Sequence, residues 1–487
     1  MTPAALRGDV KLKIRDFRPG RFRSPGSAPY SERVHSRATR ERGKNATRRL
    51  HPAQVVASAF AFAIFVGTAL LLLPNARLGP DSATFLEAIF TATSAVCVTG
   101  LTVVDTAEYW TPFGQVVILA LIQVGGFGIM TFASVIGLAV VRKLSLRSRI
   151  NAAAEAKSVG LEDVKGLILG VVQMSLLIEG AVAVLLTIRF LTGYGEPFGR
   201  AVWLGVFHAV SSFNNAGFAL FSNSMMPFAT DPWISLPICG AIILGGLGFP
   251  VIVQLRKHLR TPLKWTMNTR IVVAGTIVLL VLGSVYITVV EWNNPATLGT
   301  MDWPGKLLAG FFQSVQTRTA GFNSIDIGQM DSASLLGMDV LMLIGAGPAG
   351  TAGGIKITTF AVLFFILWAE VRGDVAVNVF GKRLSRAVHR QAITIVLLAV
   401  AVVIAATAAL MLMTDITMDS LMFEAISAFA TVGLSTGITA GLPPAGQVIL
   451  IILMFIGRLG PITIASALAL RERRSTYELP KERPIIG

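Results

Sequence analysis

The stretch FLEAIFTATSAVCVTGL, residues 85–101, is apolar through most of its length and closes on a glycine at 100. A spanning helix needs about 20 apolar residues. This segment is too short to cross and reads as a re-entrant half-helix followed by a loop. Three further stretches repeat the plan: WLGVFHAVSSFNNAGF (203–218), LAGFFQSVQTRTAGF (308–322) and MFEAISAFATVGL (422–434). Anchored on Gly100, Gly217, Gly321 and Gly433, the copies recur at intervals of 117, 104 and 112 residues. Ten residues before each glycine stands a phenylalanine: Phe90, Phe207, Phe311 and Phe423. Six before stands Ser94, Ser211 or Ser427, and the third copy has Val315 there with Ser314 beside it. Directly after each glycine comes Leu101, Phe218, Phe322 or Leu434.

Long apolar runs flank these stretches, at about 52–74, 112–141, 163–190, 232–255, 268–290, 333–369, 387–413 and 445–470. The pattern predicts an all-α polytopic membrane protein of eight spanning helices and four re-entrant half-helices. The second run of each unit carries its own glycines in register, Gly125, Gly245, Gly345 and Gly457. Four copies in register indicate an internal repeat, which outweighs any single motif. The predicted organisation is a basic tail (1–51), four repeats (52–142, 163–255, 268–370 and 386–470) and a short tail (471–487).

Composition agrees with a membrane location: 53% of the 487 residues are hydrophobic and 14% are charged, against about 25% charged in soluble domains. The formal net charge of +15 suggests nucleic acid until its placement is considered. Thirty-five of the 42 Lys and Arg residues fall in 1–51, 142–165, 256–270, 370–390 and 471–487. Each of these follows an even number of crossings, so the positive-inside rule makes them cytoplasmic, with both termini. A disordered tail near anionic lipid is the expectation for 1–51, and no nucleic-acid role follows. That tail has no apolar core of a secretory signal, and its acids and prolines argue against a transit peptide. Tyr109, Trp110, Trp233, Trp292 and Trp303 lie near the opposite ends, where interface aromatics are expected. Cys97 and Cys239 sit in separate apolar segments and are expected to be single packed thiols.

Non-helical backbone at membrane depth leaves carbonyls without partners unless it faces protein or water. Four equivalent loops around one axis would gather such carbonyls into a ring that replaces the hydration shell of a monovalent cation. Glycine suits the loop because it reaches positive φ without steric cost. The half-helices would add the negative ends of their dipoles.

On SAVCVTGL, FNNAGF, TRTAGF and ATVGL, with the glycine-rich interruption and the late arginine described below, the chain from about 50 to 470 resembles the membrane subunit of the Trk/Ktr family of potassium uptake systems, its KtrB branch in particular. The resemblance implies four membrane–pore–membrane repeats in a pseudo-fourfold arrangement around one pore, in the bacterial plasma membrane. It also implies a homodimer and a cytosolic RCK-type ring binding ATP or ADP that gates transport. The filter it implies comprises Cys97, Val98, Thr99 and Gly100; Asn214, Asn215, Ala216 and Gly217; Arg318, Thr319, Ala320 and Gly321; and Ala430, Thr431, Val432 and Gly433. These would hold K+ through backbone carbonyls. Na+ is a candidate coupling ion, and no organic cofactor is expected on this chain.

The third repeat extends its second-run glycines to IGAGPAGTAGGIK, residues 344–356. Gly345, Gly347 and Gly350 match a dinucleotide-binding spacing, but Pro348 interrupts the turn, Ile355 precedes Lys356 where a Walker motif has glycine, and no strand–helix alternation surrounds it. Gly353 and Gly354 complete a stretch that must break its crossing. In the family the corresponding loop is an intramembrane gate, here Gly345, Gly347, Pro348, Gly350, Thr351, Gly353, Gly354 and Lys356, with Arg458 of FIGRLGP as a barrier or gate element. A cation at mid-bilayer costs at least about 2.5–3.5 kcal/mol, so such residues mark function. For Arg458 the alternative is a packing role paired to an acid such as Glu424. Arg318 is expected to point behind its loop, against an acid or carbonyls, since a cation inside a cation filter repels its cargo. Lys356 is expected to snorkel toward the cytoplasmic interface or meet a partner. His208 reads as a packed histidine, and the absence of metal-ligand or nucleophile motifs argues against an enzyme. A secondary transporter of another monovalent cation or small solute is the competing class, since broken helices also build such sites.

Overall fold

The computed structural model describes residues 52–79, 82–143 and 161–460. The basic segment 1–51, residues 144–160 and residues 461–487, with the end of the fourth repeat and the C-terminal tail, lie outside the described residues. The first repeat comprises α1 (Pro52–Leu71), α2 (Phe85–Val96) and α3 (Pro112–Lys143). The second comprises α4 (Leu161–Tyr194), α5 (Phe198–Phe213), α6 (Pro232–Leu247) and α7 (Phe249–His258). The third has α8 (Met267–Val290), α9 (Trp303–Gln316), α10 (Ser332–Leu343) and α11 (Ile357–Arg372), and the fourth α12 (Arg386–Met411), α13 (Met418–Ala430) and α14 (Pro444–Leu459).

Among the described residues five helices, α1, α3, α4, α8 and α12, are long and apolar enough to cross a membrane. Their outer faces stay apolar and exposed, as at Phe62, Phe65, Leu177, Val281 and Ile404. Such faces suit lipid and not water.

The three remaining apolar runs depart from single spanning helices. Residues 232–255 divide into α6 and α7, bent by 100°. The break is Gly248, at φ +87°, after which the Phe249 amide donates to Ala349 O across the fold at 3.3 Å. Pro250 then sits in the first turn of α7, where its missing N–H costs nothing. The run 333–369 is interrupted between α10 and α11, as its glycines require. In the run 445–470 the helix stops at Leu459, before Gly460 at φ +82°. Among the described residues the helices are interrupted by one small hairpin, β1 (Asn378–Val379) paired with β2 (Lys382–Arg383). Its turn residues Phe380 and Gly381 both have positive φ, the geometry of a tight primed turn.

Two of the half-helices begin on side-chain caps. Thr84 and Glu87 form a capping box, with the Thr84 amide donating to Glu87 Oε2 at 2.8 Å. Asp302 accepts from the Gly305 amide at 3.1 Å, ahead of Pro304 in the first turn of α9. Such caps satisfy amides that a helix start leaves unpaired.

Each half-helix packs between the two longer helices of its own repeat or, in the third, on α8. The helix that follows each half-helix also touches the next half-helix: α3 meets α5, α6 meets α9, α10 meets α13 and α14 meets α2. The series returns to its starting point.

Candidate functional site

All four loops share one backbone pattern. The residue two before each glycine, and the glycine itself, have positive φ: Val98 (+55°) and Gly100 (+95°), Asn215 (+59°) and Gly217 (+70°), Thr319 (+69°) and Gly321 (+83°), Thr431 (+52°) and Gly433 (+92°). Three of the non-glycine residues are β-branched, for which positive φ is a true outlier. Strain of this kind persists only where the surroundings over-determine it.

The loops meet one another. A Cβ added to Gly100 would fall closer than 3.0 Å to Ala216 O, one on Gly217 to Ala320 O, one on Gly321 to Val432 O and one on Gly433 to Thr99 O. First copy thus meets second, second third, third fourth and fourth first. The four glycines also line one cavity of about 640 Å³, whose charged lining residues are Asp105 and Asp326.

The repeated serines hold these loops, with one exchange. Ser94 Oγ accepts from the Gly100 amide and Ser427 Oγ from the Gly433 amide, each at 3.1 Å. Ser211 Oγ instead donates to Phe218 O at 2.8 Å. In the third copy Ser314 does not take the serine's place; it donates to Leu280 O. Gln316 Oε1 accepts from the Phe322 amide at 3.2 Å, because its longer side chain reaches the loop from one turn position later. The second-run glycines press on the half-helix ends: Gly125 on Val96 O, Gly245 on Phe213 O and Gly457 on Phe429 O, leaving no room for a Cβ. Gly345 departs from that set and lies against Gly353 O, within its own extended loop.

The glycine-rich segment 344–356 folds against the ends of α6, α5 and α13. Its Gly345 amide donates to Ile355 O (2.8 Å), Gly347 to Gly246 O (2.8 Å) and Thr351 to Gly245 O (3.2 Å). Gly248 abuts Pro348 O, Gly350 abuts Gly246 O, and Gly353 and Gly354 abut Thr431 and Ala430. These amides are spent on internal carbonyls, so they form no phosphate cradle. Thr351 Oγ1 lies 3.1 Å from Asn215 Oδ1 and 3.3 Å from Phe213 O. The segment therefore contacts the second and fourth loops directly.

Arg458, 3% exposed, donates to Thr351 O and, at 3.3 Å, to Gly125 O. Glu424 is not its partner; that carboxylate accepts from the hydroxyls of Ser435 and Thr439. Arg318 points behind its loop, toward Thr276 O and Gly345 O at 3.4 Å each. Lys356 does not snorkel: its ammonium turns back to Ala352 O and Gly353 O. His208 Nε2 accepts from the Leu220 amide, so Nδ1–H donates to Leu204 O at 2.7 Å and the ring is a packed cross-brace. Cys97 and Cys239 are buried free thiols. Trp233, Trp292 and Trp303 are exposed, but Trp110 is 1% exposed. It is drawn inward by its bridge to Arg77, where Gly114 packs on its ring. A count of intramembrane cations alone overlooks Glu179, a buried acid in the middle of α4 that accepts hydrogen bonds from the side-chain amides of Gln123 and Asn214. An acid inside the apolar run 163–190 is the signal that finds it.

The family model for TrkH, described as a cation transport protein, matches residues 34–475. The chain is 39% identical over 438 residues to the Ktr system potassium uptake protein B of Vibrio alginolyticus, covering 89% of this chain and 94% of that one. It is 38% identical to the protein of the same name in Bacillus subtilis, covering 87% and 94%. Against the potassium/sodium uptake protein NtpJ of Enterococcus hirae the identity is 34%, covering 91% and 99%. The crystal structure of the potassium transporter TrkH from Vibrio parahaemolyticus superposes with a TM-score of 0.70 at 17% identity, covering 88% of this chain and 86% of that one.

Proposed function

Because the chain belongs to the TrkH family of cation transport proteins, a family of transporters and not of enzymes, we propose that it takes up K+ across the bacterial plasma membrane through a filter built from its four glycine loops. The observation that carries this is the closed series in which each loop glycine abuts the carbonyl that precedes the glycine of the next copy. A backbone that alternates between positive and negative φ turns successive carbonyls the same way, and four such strands around one axis offer a dehydrated monovalent cation a cage of oxygens. The half-helix C-termini aim their negative ends at the same place. Asp105 and Asp326 in the cavity above would concentrate cations at its mouth.

In this reading the repeats stand in pseudo-fourfold order around the pore, with both termini cytoplasmic. The segment 344–356 closes the path directly below the filter, held by Arg458. A homodimer and a cytosolic nucleotide-binding ring that moves this segment complete the assembly. Na+ is included as a co-ion, in keeping with the name of the Enterococcus relative.

The test is rubidium uptake into vesicles carrying the purified chain, with K+ and Na+ as competitors and with or without added Na+ inside and out. Uptake competed by K+ well before Na+ is expected. Rubidium entry that K+ does not compete would overturn the proposal.

A further inference from the structure

Glu179 is 4% exposed within the apolar span of α4, where a carboxylate is costly and marks function. Gln123 of α3 bridges both of its oxygens through Nε2, at 3.1 and 3.0 Å. Asn214, the residue that ends α5, donates its Nδ2 to Glu179 Oε1 at 3.2 Å, to Gln123 Oε1 at 3.0 Å and to Val210 O at 2.9 Å. Among the described residues the groups that meet the carboxylate are amide donors, which suits a carboxylate that accepts. Among the described residues no ion pair compensates it. Gly126 leaves room for the Asn214 side chain, since a Cβ there would strike Asn214 Oδ1. Directly after Asn214 comes Asn215, at φ +59°.

This cluster joins the second helix of the first repeat, the first helix of the second and the start of one loop. Among the described residues the positions that match Asn214 in the other loops, Cys97, Arg318 and Ala430, meet no acid: Arg318 donates to Thr276 O and Gly345 O. The half-helix residues that accept there are Ser94, Gln316 and Ser427. We propose that Glu179 is a positioning residue for ion discrimination: its carboxylate accepts from Asn214 Nδ2 and orients that side chain, and through Asn214 it holds the carbonyls of 214–216 at the spacing the cation meets. The proposal rests on the reading of 214–217 as part of the ion path. A bond between a charged acceptor and an amide is stronger and more directional than a neutral one. Its loss lets the strained Asn215 relax, and a cage with looser carbonyls discriminates less well between cations of different radius.

The experiment compares rubidium uptake, with K+ and Na+ competition, in vesicles carrying the wild-type chain, Glu179→Gln, Asn214→Ala and the double variant. Each single change is expected to lower K+-over-Na+ discrimination by about threefold to tenfold, and the double by no more than the larger single effect, as for residues acting through one another. Thermal unfolding in detergent serves as the readout of a merely structural role. A melting temperature lowered by Glu179→Gln with discrimination intact would overturn the proposal, as would additive effects. If Glu179→Gln does not insert, Gln123→Leu removes the bridging amide and carries the same expectation. Wild-type vesicles that take up no rubidium overturn the ion-path reading itself; wild-type selectivity retained in Glu179→Gln removes only the role of Glu179.

Discussion

The hydroxyl of Thr351 lies 3.1 Å from the side-chain oxygen of Asn215, although 136 residues separate them in sequence. One belongs to the glycine-rich segment that interrupts the third repeat, the other to the left-handed position of the second loop. The same hydroxyl is within 3.3 Å of Phe213 O, and the Thr351 carbonyl accepts from Arg458. A single residue thus joins the segment, the second loop and α14. If the segment closes the path, its movement also alters the loop above it.

Replacing Thr351 with valine keeps the volume and removes the hydroxyl. Losing a hydrogen bond of about 1 kcal/mol shifts a closed-to-open equilibrium about fivefold, so basal rubidium uptake is expected to rise by roughly that factor. Deleting part of 346–353 is expected to raise it further. Uptake that is unchanged or lower in stably inserted protein contradicts the gate assignment.

Among the described residues the buried Arg458 has no carboxylate partner and bonds to the carbonyls of Thr351 and Gly125. Arg458→Gln shortens the reach and removes the charge, so the segment should loosen and the cationic barrier fall. Uptake is expected to increase by about tenfold if the bonds to the charged group are worth roughly 1.5 kcal/mol to the closed state. Measured flux and K+/Na+ competition identical to wild type would rule this role out.

Gly433 and Gly437 have nearly the same backbone angle, φ +92° and +90°. A Cβ on Gly433 would strike Thr99 O, whereas one on Gly437 meets nothing within 4 Å. Both Ala variants incur the left-handed strain of about 1–2 kcal/mol, but only Gly433→Ala also pushes two loops apart. Gly433→Ala is expected to abolish selective uptake, and Gly437→Ala to lower the melting temperature with selectivity retained. Equal losses of selectivity in the two variants would show that strain alone decides.

Asp105 and Asp326 are the charged residues lining the cavity that the four glycines share. Exposed charges act over about 30 Å at 0.01 M salt but only about 8 Å at 0.15 M. The double variant Asp105→Asn, Asp326→Asn should therefore reduce initial rubidium uptake about twofold to fivefold at low ionic strength, and the difference should vanish at high salt. A deficit independent of ionic strength would point to altered folding of the loops instead.

Much of this architecture was legible because it is written along one dimension. Apolar length located the five long spans, glycine recurrence marked the four loops, and the extra glycines of 344–356 marked the broken crossing. The 100° bend at Gly248 was not legible, since hydropathy runs on through residues that change direction. Trp110 looked like an interface aromatic and is buried, because a bridge to Arg77 draws it in. In the third copy, where Val315 stands at the serine position, it is Gln316 that accepts from the loop, which only the reach of side chains in three dimensions could decide.

The sequence by itself determined that this chain lives in a membrane, that it repeats four times and that each copy follows a half-helix with a glycine loop. Those properties follow from local chemistry: the apolar length a bilayer demands and the backbone freedom only glycine has. Tertiary structure decided which carbonyl each glycine faces, that Arg458 meets carbonyls and not Glu424, and that Glu179 stands behind Asn214. Those pairings depend on contacts between residues tens to hundreds of positions apart, and a hydrogen bond a few ångströms long leaves no trace in spacing along the chain.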